Sequence, residues 1–465
     1  MSTGGKTAQG SPADSRLPRG PHALSREQVA ANQRTRMMSA MIELVGEQGY
    51  GATKAAEVSA RAGVSRKAFY EHFANKEECF LATYDMIVAE GLERVAGAMQ
   101  TADGLIEEIR LGLDALFQRA VEQPGVERLV LVEAAALGPA GIARREQLIS
   151  SYEGMLRENL GAARRPGLIP NPLLRAVAGG FLKVLYSRVR SGAQRQLPAL
   201  LPDLVRWSFT YYPLPEVTDA IGELRPVVSP TGVVGGRAPG SLSPWSTSSR
   251  TRAASRRTPS LSRSFLVHNQ RERILDAVAQ LCAEKGYANI TLDDIAERAA
   301  VSLEAFYEHF AGKEDAFLVA YEVGHTKGRA LVESVHDAAP DWPQAMRAGI
   351  LALLEFLATE PAFAHMALVD ALIATPRTAE RSNKAIVRYA ELLTPGFDEV
   401  PEASKPPAVT IEAIAGGIFE LCLTYTVQNR VAQLTELAPW VVYFALAPFV
   451  GPELAGRVAS EPVAS

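Results

Sequence analysis

The sequence predicts an all-α protein, and three observations support this fold class. Apolar residues such as Met38, Met41, Ile42 and Val45 recur at helical spacing. Helix-capping residues precede such stretches, and no strand-like alternation of apolar and polar residues persists along the chain. Of the 465 residues, 47% are hydrophobic and 22% are charged, which suits a soluble protein with buried cores.

The first helix has recognisable start and stop signals. Ser25 and Gln28 form a capping box, in which each side chain bonds to the other residue's backbone N–H. We expect the helix to run to about Gln48 and to stop at Gly49-Tyr50-Gly51, where glycine permits a change of direction.

Two short helices and a long one are expected next. Thr53 is expected to cap the second helix, and Ala62-Gly63-Val64 to form a tight turn after it. Ser65 is expected to cap a third helix that ends near His72, and Asn75 to cap a fourth, long helix. Two helices joined by a three-residue turn with a small residue form a helix-turn-helix.

The chain contains two copies of one protein. Residues 32–85 align without a gap with residues 269–322, at an offset of 237, and 25 of the 54 positions are identical. The offset persists far beyond this segment, since Ala178-Gly179-Gly180 corresponds to Ala415-Gly416-Gly417. A period of this length is too long for a solenoid, so we interpret it as duplication of a complete two-part protein.

The repeat gives the domain organisation, because each copy has a helix-turn-helix part and a longer helical part. The segment between the copies is rich in Gly, Pro, Ser and Thr, which is typical of a disordered linker. The expected segments are a disordered tail (1–24), helix-turn-helix domain 1 (25–84), helical regulatory domain 1 (85–221), a disordered Arg-rich linker (222–263), helix-turn-helix domain 2 (264–321), helical regulatory domain 2 (322–458) and a tail (459–465).

Composition indicates a cytoplasmic protein. The cysteines Cys79, Cys282 and Cys422 are far apart and fit neither a disulfide framework nor a metal site, which favours a reducing compartment. The N-terminus lacks the apolar core of a secretory signal, and the apolar stretch 437–452 is shorter than a bilayer span. The formal net charge of -4 excludes a protein that is basic from end to end, but not a local basic patch.

The helix-turn-helix segments identify a family. AGVSRKAFYEHFANKEECF (62–80) resembles the DNA-binding signature of TetR-family transcriptional repressors, and AAVSLEAFYEHFAGKEDAF (299–317) is similar to it. In the regulatory halves the resemblance depends on length, helicity and position. The resemblance implies that the second helix of each motif enters a major groove of DNA.

The resemblance also implies which residues contact DNA. Arg66 and Lys67 would face bases beside Ser65, since their donors suit guanine O6 and N7. The expected phosphate contacts in the first copy are Thr53, Tyr70, His72 and Lys76. The corresponding residues assigned in the second copy are Thr291, Ser302, Leu303, Glu304, Tyr307, His309 and Lys313.

The second copy differs where base contacts are expected. Leu303-Glu304 stand in place of Arg66-Lys67, and Ala300 stands in place of Gly63. The first aligned segment has 7 Lys and Arg against 7 Asp and Glu, whereas the second has 5 against 11. The acidic excess predicts repulsion from phosphate. However, Glu304 is able to accept from cytosine N4, so a second head with a different preference remains an alternative.

The linker provides cations just before the second helix-turn-helix. Between Leu224 and His268 there are 7 arginines and no acidic residue. Such an arm is able to lie in a minor groove or along phosphates, and an ordinary soluble linker is the alternative. The arginines assigned to this arm are Arg250, Arg252, Arg256 and Arg257.

The resemblance implies that each regulatory half holds an effector pocket and a dimerisation face. The dimerisation face would lie on the last two long helices, at about 171–192 with 197–212 and at about 409–429 with 434–449. Glycine pairs inside these helices indicate close helix–helix approach. Glu133 and Asp370 lie in apolar stretches, and each is interpreted either as a pocket residue or as a carboxylate bonded to backbone or a neighbouring side chain.

These features predict a ligand-responsive repressor that acts as a single-chain pseudo-dimer with two unlike reading heads. Its expected partners are a double-stranded DNA operator and an unidentified small-molecule effector, without a membrane, and further homodimerisation stays open. The alternative is a ligand-binding or co-regulatory protein whose second helix-turn-helix has lost DNA binding. No nucleophile elbow, paired carboxylates, metal-ligand spacing or phosphate loop is apparent, so we expect no enzyme activity, catalytic residue, metal or cofactor.

Overall fold

A computed structural model of the chain describes residues 25–162, 171–211 and 263–461. All regular structure within these ranges is helical, which confirms the all-α prediction. The described residues form two compact units, one of 25–155 with 185–202, and one of 156–162, 171–184, 203–211 and 263–461. The arm arginines Arg250, Arg252, Arg256 and Arg257 lie outside the described residues, as do the N-terminal tail and nearly all of the linker.

The first helix-turn-helix domain follows the sequence prediction closely. Ser25 caps the first helix through the expected capping box with Gln28, and Gly49 interrupts this helix at a φ of 79°. Gly63 adopts the left-handed conformation of the turn, at a φ of 64°. Ser65 and Asn75 cap the third and fourth helices as predicted. The helices are α1 (Arg26–Ala52), α2 (Ala55–Ala62), α3 (Arg66–His72) and α4 (Lys76–Met99).

The prediction that Thr53 caps α2 is wrong by one residue. Lys54 is the N-cap, because its backbone N–H donates to the carboxylate of Glu57 at 2.8 Å. Thr53 is buried, and its hydroxyl donates to the carbonyl of Gly49 at 2.9 Å. In the second copy Thr291 is the N-cap, and at the offset of 237 it corresponds to Lys54 and not to Thr53.

The rest of the first copy is a series of longer helices. The described helices are α5 (Leu105–Glu122), α6 (Pro124–Leu131), a 3-10 helix (Glu133–Leu137), α7 (Pro139–Ala162), α8 (Asn171–Ser191), a 3-10 helix (Gln194–Gln196) and α9 (Leu197–Phe209). In the first unit, α4 packs along α5, and α6 packs against α1. A core of buried Met, Phe and Leu side chains joins α1, α4 and α6.

The second copy repeats this order of elements. Its helix-turn-helix domain contains α10 (Arg263–Lys285), a 3-10 helix (Tyr287–Asn289), α11 (Leu292–Ala299), α12 (Leu303–His309) and α13 (Lys313–Asp337). Its remaining elements are α14 (Trp342–Thr359), α15 (Pro361–His365), a π-helical turn (Met366–Asp370), α16 (Ala371–Ile373), α17 (Pro376–Ala390), 3-10 helices (Glu391–Phe397, Glu402–Ser404, Val431–Leu437), α18 (Val409–Val427), α19 (Ala438–Val450) and α20 (Pro452–Ser460). Ala300 takes the left-handed position of Gly63, at a φ of 51°.

Two helical stretches of the second unit are long and apolar enough to cross a membrane by length and composition. They are Val409–Val427 and Val431–Val450, and the second, at 20 residues, is longer than the 16-residue stretch noted in the sequence. Of their most apolar windows, 67% and 61% of the residues are buried inside the protein. Much of this apolar surface therefore contributes to the core of the second unit.

Candidate nucleic-acid interface

The recognition helix α3 of the first copy is fixed by its apolar face. Phe69 and Phe73 are fully buried, and the Ser65 hydroxyl accepts from the backbone N–H of Ala68 at 3.0 Å. The opposite face leaves Arg66 and Lys67 exposed at the start of the helix. A short helix with one anchored face and cations on the other suits insertion into a major groove.

Two arginines that the sequence analysis did not single out hold this motif together. Arg36 is buried, and its guanidinium donates to the carbonyls of Ala62 and Gly63 at the end of α2. Arg34 donates to the carbonyl of His72 at 3.2 Å, at the end of α3. These carbonyls lack partners within their helices, so the arginines satisfy them. Both arginines recur in the second copy, as Arg271 and Arg273, which was the signal available in the sequence.

The residues predicted to contact phosphate have different surroundings. The Tyr70 side chain is 60% exposed, whereas His72 is half-buried with its Nε2 3.3 Å from Gln33 Oε1. The Lys76 ammonium donates to the carbonyl of Tyr50 at 2.9 Å and lies over the Tyr50 ring. Partial burial lowers the pKa of Lys76. Tyr70 is thus open to DNA, and the Lys76 ammonium already binds within the protein.

The second recognition helix, α12, has the same geometry with different chemistry. Phe306 and Phe310 are buried, while Leu303, Glu304 and Tyr307 are exposed. The hydroxyl of Ser302 accepts from the N–H of Ala305 at 3.1 Å, as Ser65 does in the first copy.

The conserved geometry extends to the end of the motif. His309 is half-buried, and the Lys313 ammonium donates to the carbonyls of Tyr287 and Ile290 at 3.0 and 2.9 Å. The duplication therefore preserves the scaffold of the motif and changes the side chains that would face bases.

Glu133 and Asp370 connect each regulatory half to its helix-turn-helix domain. Glu133 Oε2 accepts from the backbone N–H of Tyr50 at 2.9 Å, and Asp370 Oδ1 accepts from the N–H of Tyr287 at 2.7 Å. Asp370 is fully buried, and its Oδ2 lies 2.8 Å from His365 Nδ1. Of the two interpretations of Glu133 and Asp370, these hydrogen bonds fit the one in which each carboxylate bonds to backbone or to a neighbouring side chain.

The second regulatory half encloses a cavity of about 130 Å³. Among the described residues, no Asp, Glu, Lys or Arg side chain lines it, and Asp370 is not one of its lining residues. The His325 ring lines the cavity, and its Nε2 is buried without a hydrogen-bond partner. Burial, reinforced by the charge of Arg388, lowers the pKa of His325 to about 4, so the imidazole is neutral at pH 7.

Within the second unit, α8 and α18 cross at the duplicated glycine pairs. A Cβ atom on Gly179 would lie 2.5 Å from the Cβ of Glu420, and one on Gly417 would collide with the carbonyl of Ala176. Side chains at these glycines would separate the two backbones. The predicted close approach of these helices is thus present between a helix of the first copy and a helix of the second.

Buried polar contacts accompany this crossing. Arg175 and Glu420 form an ion pair at 3.3 Å, with side chains only 9% and 0% exposed. The Tyr211 hydroxyl donates to the carbonyl of Phe444 at 2.9 Å and accepts from Trp207 Nε1 at 3.1 Å. The Lys183 ammonium donates to Asn383 Oδ1 at 2.7 Å. Each pairing except that of Trp207 with Tyr211 joins residues of the first copy to residues of the second.

The chain is similar to known bacterial regulators. The family described as bacterial regulatory proteins, tetR family, matches residues 38–83 and 274–320. The HTH-type transcriptional activator FasR of Mycolicibacterium smegmatis is 31% identical over 85 residues, which is 18% of this chain and 39% of FasR. The chain therefore matches well under half of the length of that relative.

Solved structures of regulators also align with parts of the chain. The fatty acid degradation regulator FadR from Bacillus halodurans aligns at a TM-score of 0.35 and 15% identity, over 38% of this chain and 94% of that one. FadR from Bacillus subtilis, crystallised with stearoyl-CoA, aligns at a TM-score of 0.34 and 16% identity, over 37% of this chain and 96% of that one.

The two family matches and the internal repeat agree with each other. Each match covers the end of a first helix, the helix-turn-helix and the start of the fourth helix, in one copy and then in the other. Both helix-turn-helix segments of this chain match the tetR family of bacterial regulatory proteins, which supports a TetR-family regulator built as a tandem duplication.

Proposed function

We propose that the chain is a cytoplasmic, DNA-binding transcriptional repressor whose first copy reads bases through α3. The observation that carries this proposal is the exposed pair Arg66 and Lys67 on a helix anchored by Phe69 and Phe73. Donors of this kind favour guanine, and each good contact contributes about 1–3 kcal/mol of discrimination. FasR, a relative over the matched segment, is named as a transcriptional activator, which supports the same general class.

We further propose that the two copies form a pseudo-dimer within one chain. The crossing of α8 with α18 supports this arrangement, as does the charge pattern along the two helices. At equivalent positions the first copy has Arg175 and Lys183, where the second has Glu412 and Glu420. Arg175 pairs with Glu420, and Lys183 is the counterpart of Glu420 in the first copy. Two first copies that paired in the same way would therefore place Arg175 against Lys183. Like charges in a buried interface are unfavourable, so the pattern favours pairing of unlike copies.

Two heads in one chain would suit an asymmetric operator. Helix-turn-helix dimers bind half-sites about 34 Å apart, one turn of DNA. Tethering makes pairing intramolecular, at an effective concentration of the order of millimolar. A small molecule that favours another bundle geometry would shift the population away from the DNA-binding state and release the operator. The cavity of the second copy supports the presence of such an effector.

Selection of bound sequences from a randomised DNA pool by the full chain tests this function. We expect enrichment of two unlike half-sites by a chain that is monomeric in light scattering. Replacing Arg66 and Lys67 with alanine should weaken binding at least tenfold and relax the sequence preference of one half-site, since both donors are lost. A pool without enrichment, or a dimeric chain that selects only palindromes, would contradict the proposal.

A second candidate function is favoured by the surface of α12. The exposed Leu303 and Glu304 offer no cation to DNA, which fits a second head that has lost DNA binding. The matched variant Leu303→Ala/Glu304→Ala separates the candidates. Unchanged affinity and unchanged selected sequences would favour a co-regulatory second copy, whereas a changed preference at one half-site would favour two readers.

The Arg-rich arm requires its own measurement. We propose that the arginines of the linker contact phosphates or the minor groove beside the second head. Replacing all four with alanine should reduce the slope of log K against log salt, because fewer counterions are released. An unchanged slope would show that the segment acts only as a linker. The variant replaces Arg250, Arg252, Arg256 and Arg257.

A further inference from the structure

We propose that the chain binds one uncharged, largely apolar ligand, and that this ligand occupies only the second copy. In the first copy, a buried ion pair takes the place of the cavity wall. The inference deepens the proposed function and rests on it only for the regulatory role of the ligand. The binding stoichiometry itself is independent of DNA.

The lining of the cavity in the second copy suits an apolar ligand. Its walls include residues of α13, α14, α15, α17 and α18, with aromatic rings at Phe356 and Phe363 and aliphatic side chains at Met346 and Ile350. Within the part of the chain that the structure describes, no Asp, Glu, Lys or Arg side chain lines the cavity. Burying an ionic group there would cost its hydration without a compensating partner, so the buried part of the ligand must be uncharged.

Two imidazoles in the wall, those of His325 and His336, each have a buried Nε2 without a hydrogen-bond partner among the described residues, and they define the hydrogen bonding of the ligand. The His325 ring also lies against Tyr321, Phe363 and Tyr389, which hold its orientation. An unsatisfied buried nitrogen is costly, and a polar atom of the ligand would satisfy it.

The equivalent positions of the first copy have different chemistry. At the offset of 237, Phe356 corresponds to Arg119, and Ala364, next to the lining residue Phe363, corresponds to Glu127. Arg119 Nε lies 2.5 Å from Glu127 Oε1, and the two side chains are only 8% and 1% exposed. Arg119 also donates to the carbonyl of Ile87 at 3.0 Å. Both groups are engaged within the core.

The glycines beside these residues show that the two side chains occupy equivalent space. A Cβ on Gly91 would collide with the guanidinium of Arg119, and a Cβ on its counterpart Gly328 would lie 2.8 Å from the ring of Phe356. The imidazole of His325 is also missing, because this residue corresponds to Val88. A ligand in the first copy would therefore meet the Arg119–Glu127 ion pair in place of the Phe356 ring. It would also have no imidazole equivalent to His325 to bond to.

Titration of the full chain with N-phenyl-1-naphthylamine tests the stoichiometry. This fluorescent probe is uncharged, apolar and carries a single N–H that suits an unpaired imidazole nitrogen. We expect saturation at one probe per chain. Saturation at two probes per chain, or no saturable fluorescence, would overturn the inference.

Matched variants at equivalent positions locate the site. Leu353 lines the cavity and is only partly buried, and Leu116 is its counterpart in the first copy. Leu353→Trp should weaken probe binding at least tenfold, whereas Leu116→Trp should leave it within twofold. Loss of binding in Leu116→Trp with retention in Leu353→Trp would overturn the inference. Circular dichroism confirms that each variant is folded.

A second variant keeps the inference testable if Leu353→Trp does not fold. Phe356→Arg/Ala364→Glu installs the ion pair of the first copy and should abolish probe binding, and retained binding would overturn the inference. DNA affinity is measured in parallel with and without saturating probe. If one probe binds per chain but DNA affinity does not change, the regulatory role fails and the one-site inference stands.

Discussion

The Arg175–Glu420 ion pair should contribute strongly to the stability of the second unit. Both side chains are almost completely buried, and their nearest atoms are 3.3 Å apart. Removing one partner of a buried pair leaves a poorly solvated charge and typically costs about 3–5 kcal/mol. We expect Glu420→Gln and Arg175→Met each to lower the free energy of unfolding by about 3 kcal/mol. The double variant should cost clearly less than the sum, with a coupling energy of about 2 kcal/mol.

A double-mutant cycle measured by urea denaturation of the full chain checks this expectation. Tryptophan fluorescence is a suitable probe, since Trp207 lies beside Phe444 in the same contact region. The control cycle uses Glu380 and Lys384, an exposed i,i+4 pair at 2.7 Å, for which a coupling below about 0.5 kcal/mol is expected. A coupling energy for Arg175 and Glu420 as small as that of the control would refute the reasoning.

Three further predictions concern the turns, the cavity and the recognition helix. Ala300→Gly should stabilise and Gly63→Ala destabilise the chain by about 1 kcal/mol each, measured by thermal unfolding, because both positions are left-handed. His325 binds a proton more readily when unfolded, so stability should fall by up to about 3 kcal/mol between pH 6.5 and pH 4, and His325→Phe should reduce this fall. Replacing Arg66 and Lys67 with alanine should lower the salt slope of DNA binding by about 1–2.

Each of these predictions has a clear contrary result. If Ala300→Gly and Gly63→Ala changed the stability of the chain in the same direction, backbone strain at these turns would not decide it. A pH profile that is the same in wild type and His325→Phe would assign the acid sensitivity to other groups. A salt slope unaffected by loss of both cations would mean that Arg66 and Lys67 do not contact DNA.

The local structure of the helix-turn-helix was predictable because its signals lie within a few residues of each other. Ser65 and Asn75 cap helices through contacts three residues away, and Gly63 provides the left-handed turn. The error at Thr53 has the same local origin. Two neighbouring polar residues compete for one cap, and the backbone N–H of Lys54 gains the Glu57 carboxylate.

Contacts between side chains on different helices were not predictable in the same way. The Arg119–Glu127 pair lies between two neighbouring helices of the first copy, and its counterpart positions in the second copy are apolar. Comparison of the repeats reveals this exchange, but only the packing shows that the residues meet. Arg175 and Glu420 are separated by 245 residues, so their pairing depends on how helices of the two copies meet.

Helix α18 offers a physical route from the cavity to the first copy. Ala415, Ile418 and Cys422 on this helix line the cavity, while Gly416 and Gly417 lie between them and face α8. A helix packed on both sides moves as a rigid element, because close-packed interiors transmit displacement. At Gly417 the helix lies directly against the backbone carbonyl of Ala176 on α8, so a ligand that displaces α18 must also displace α8 or break their contact.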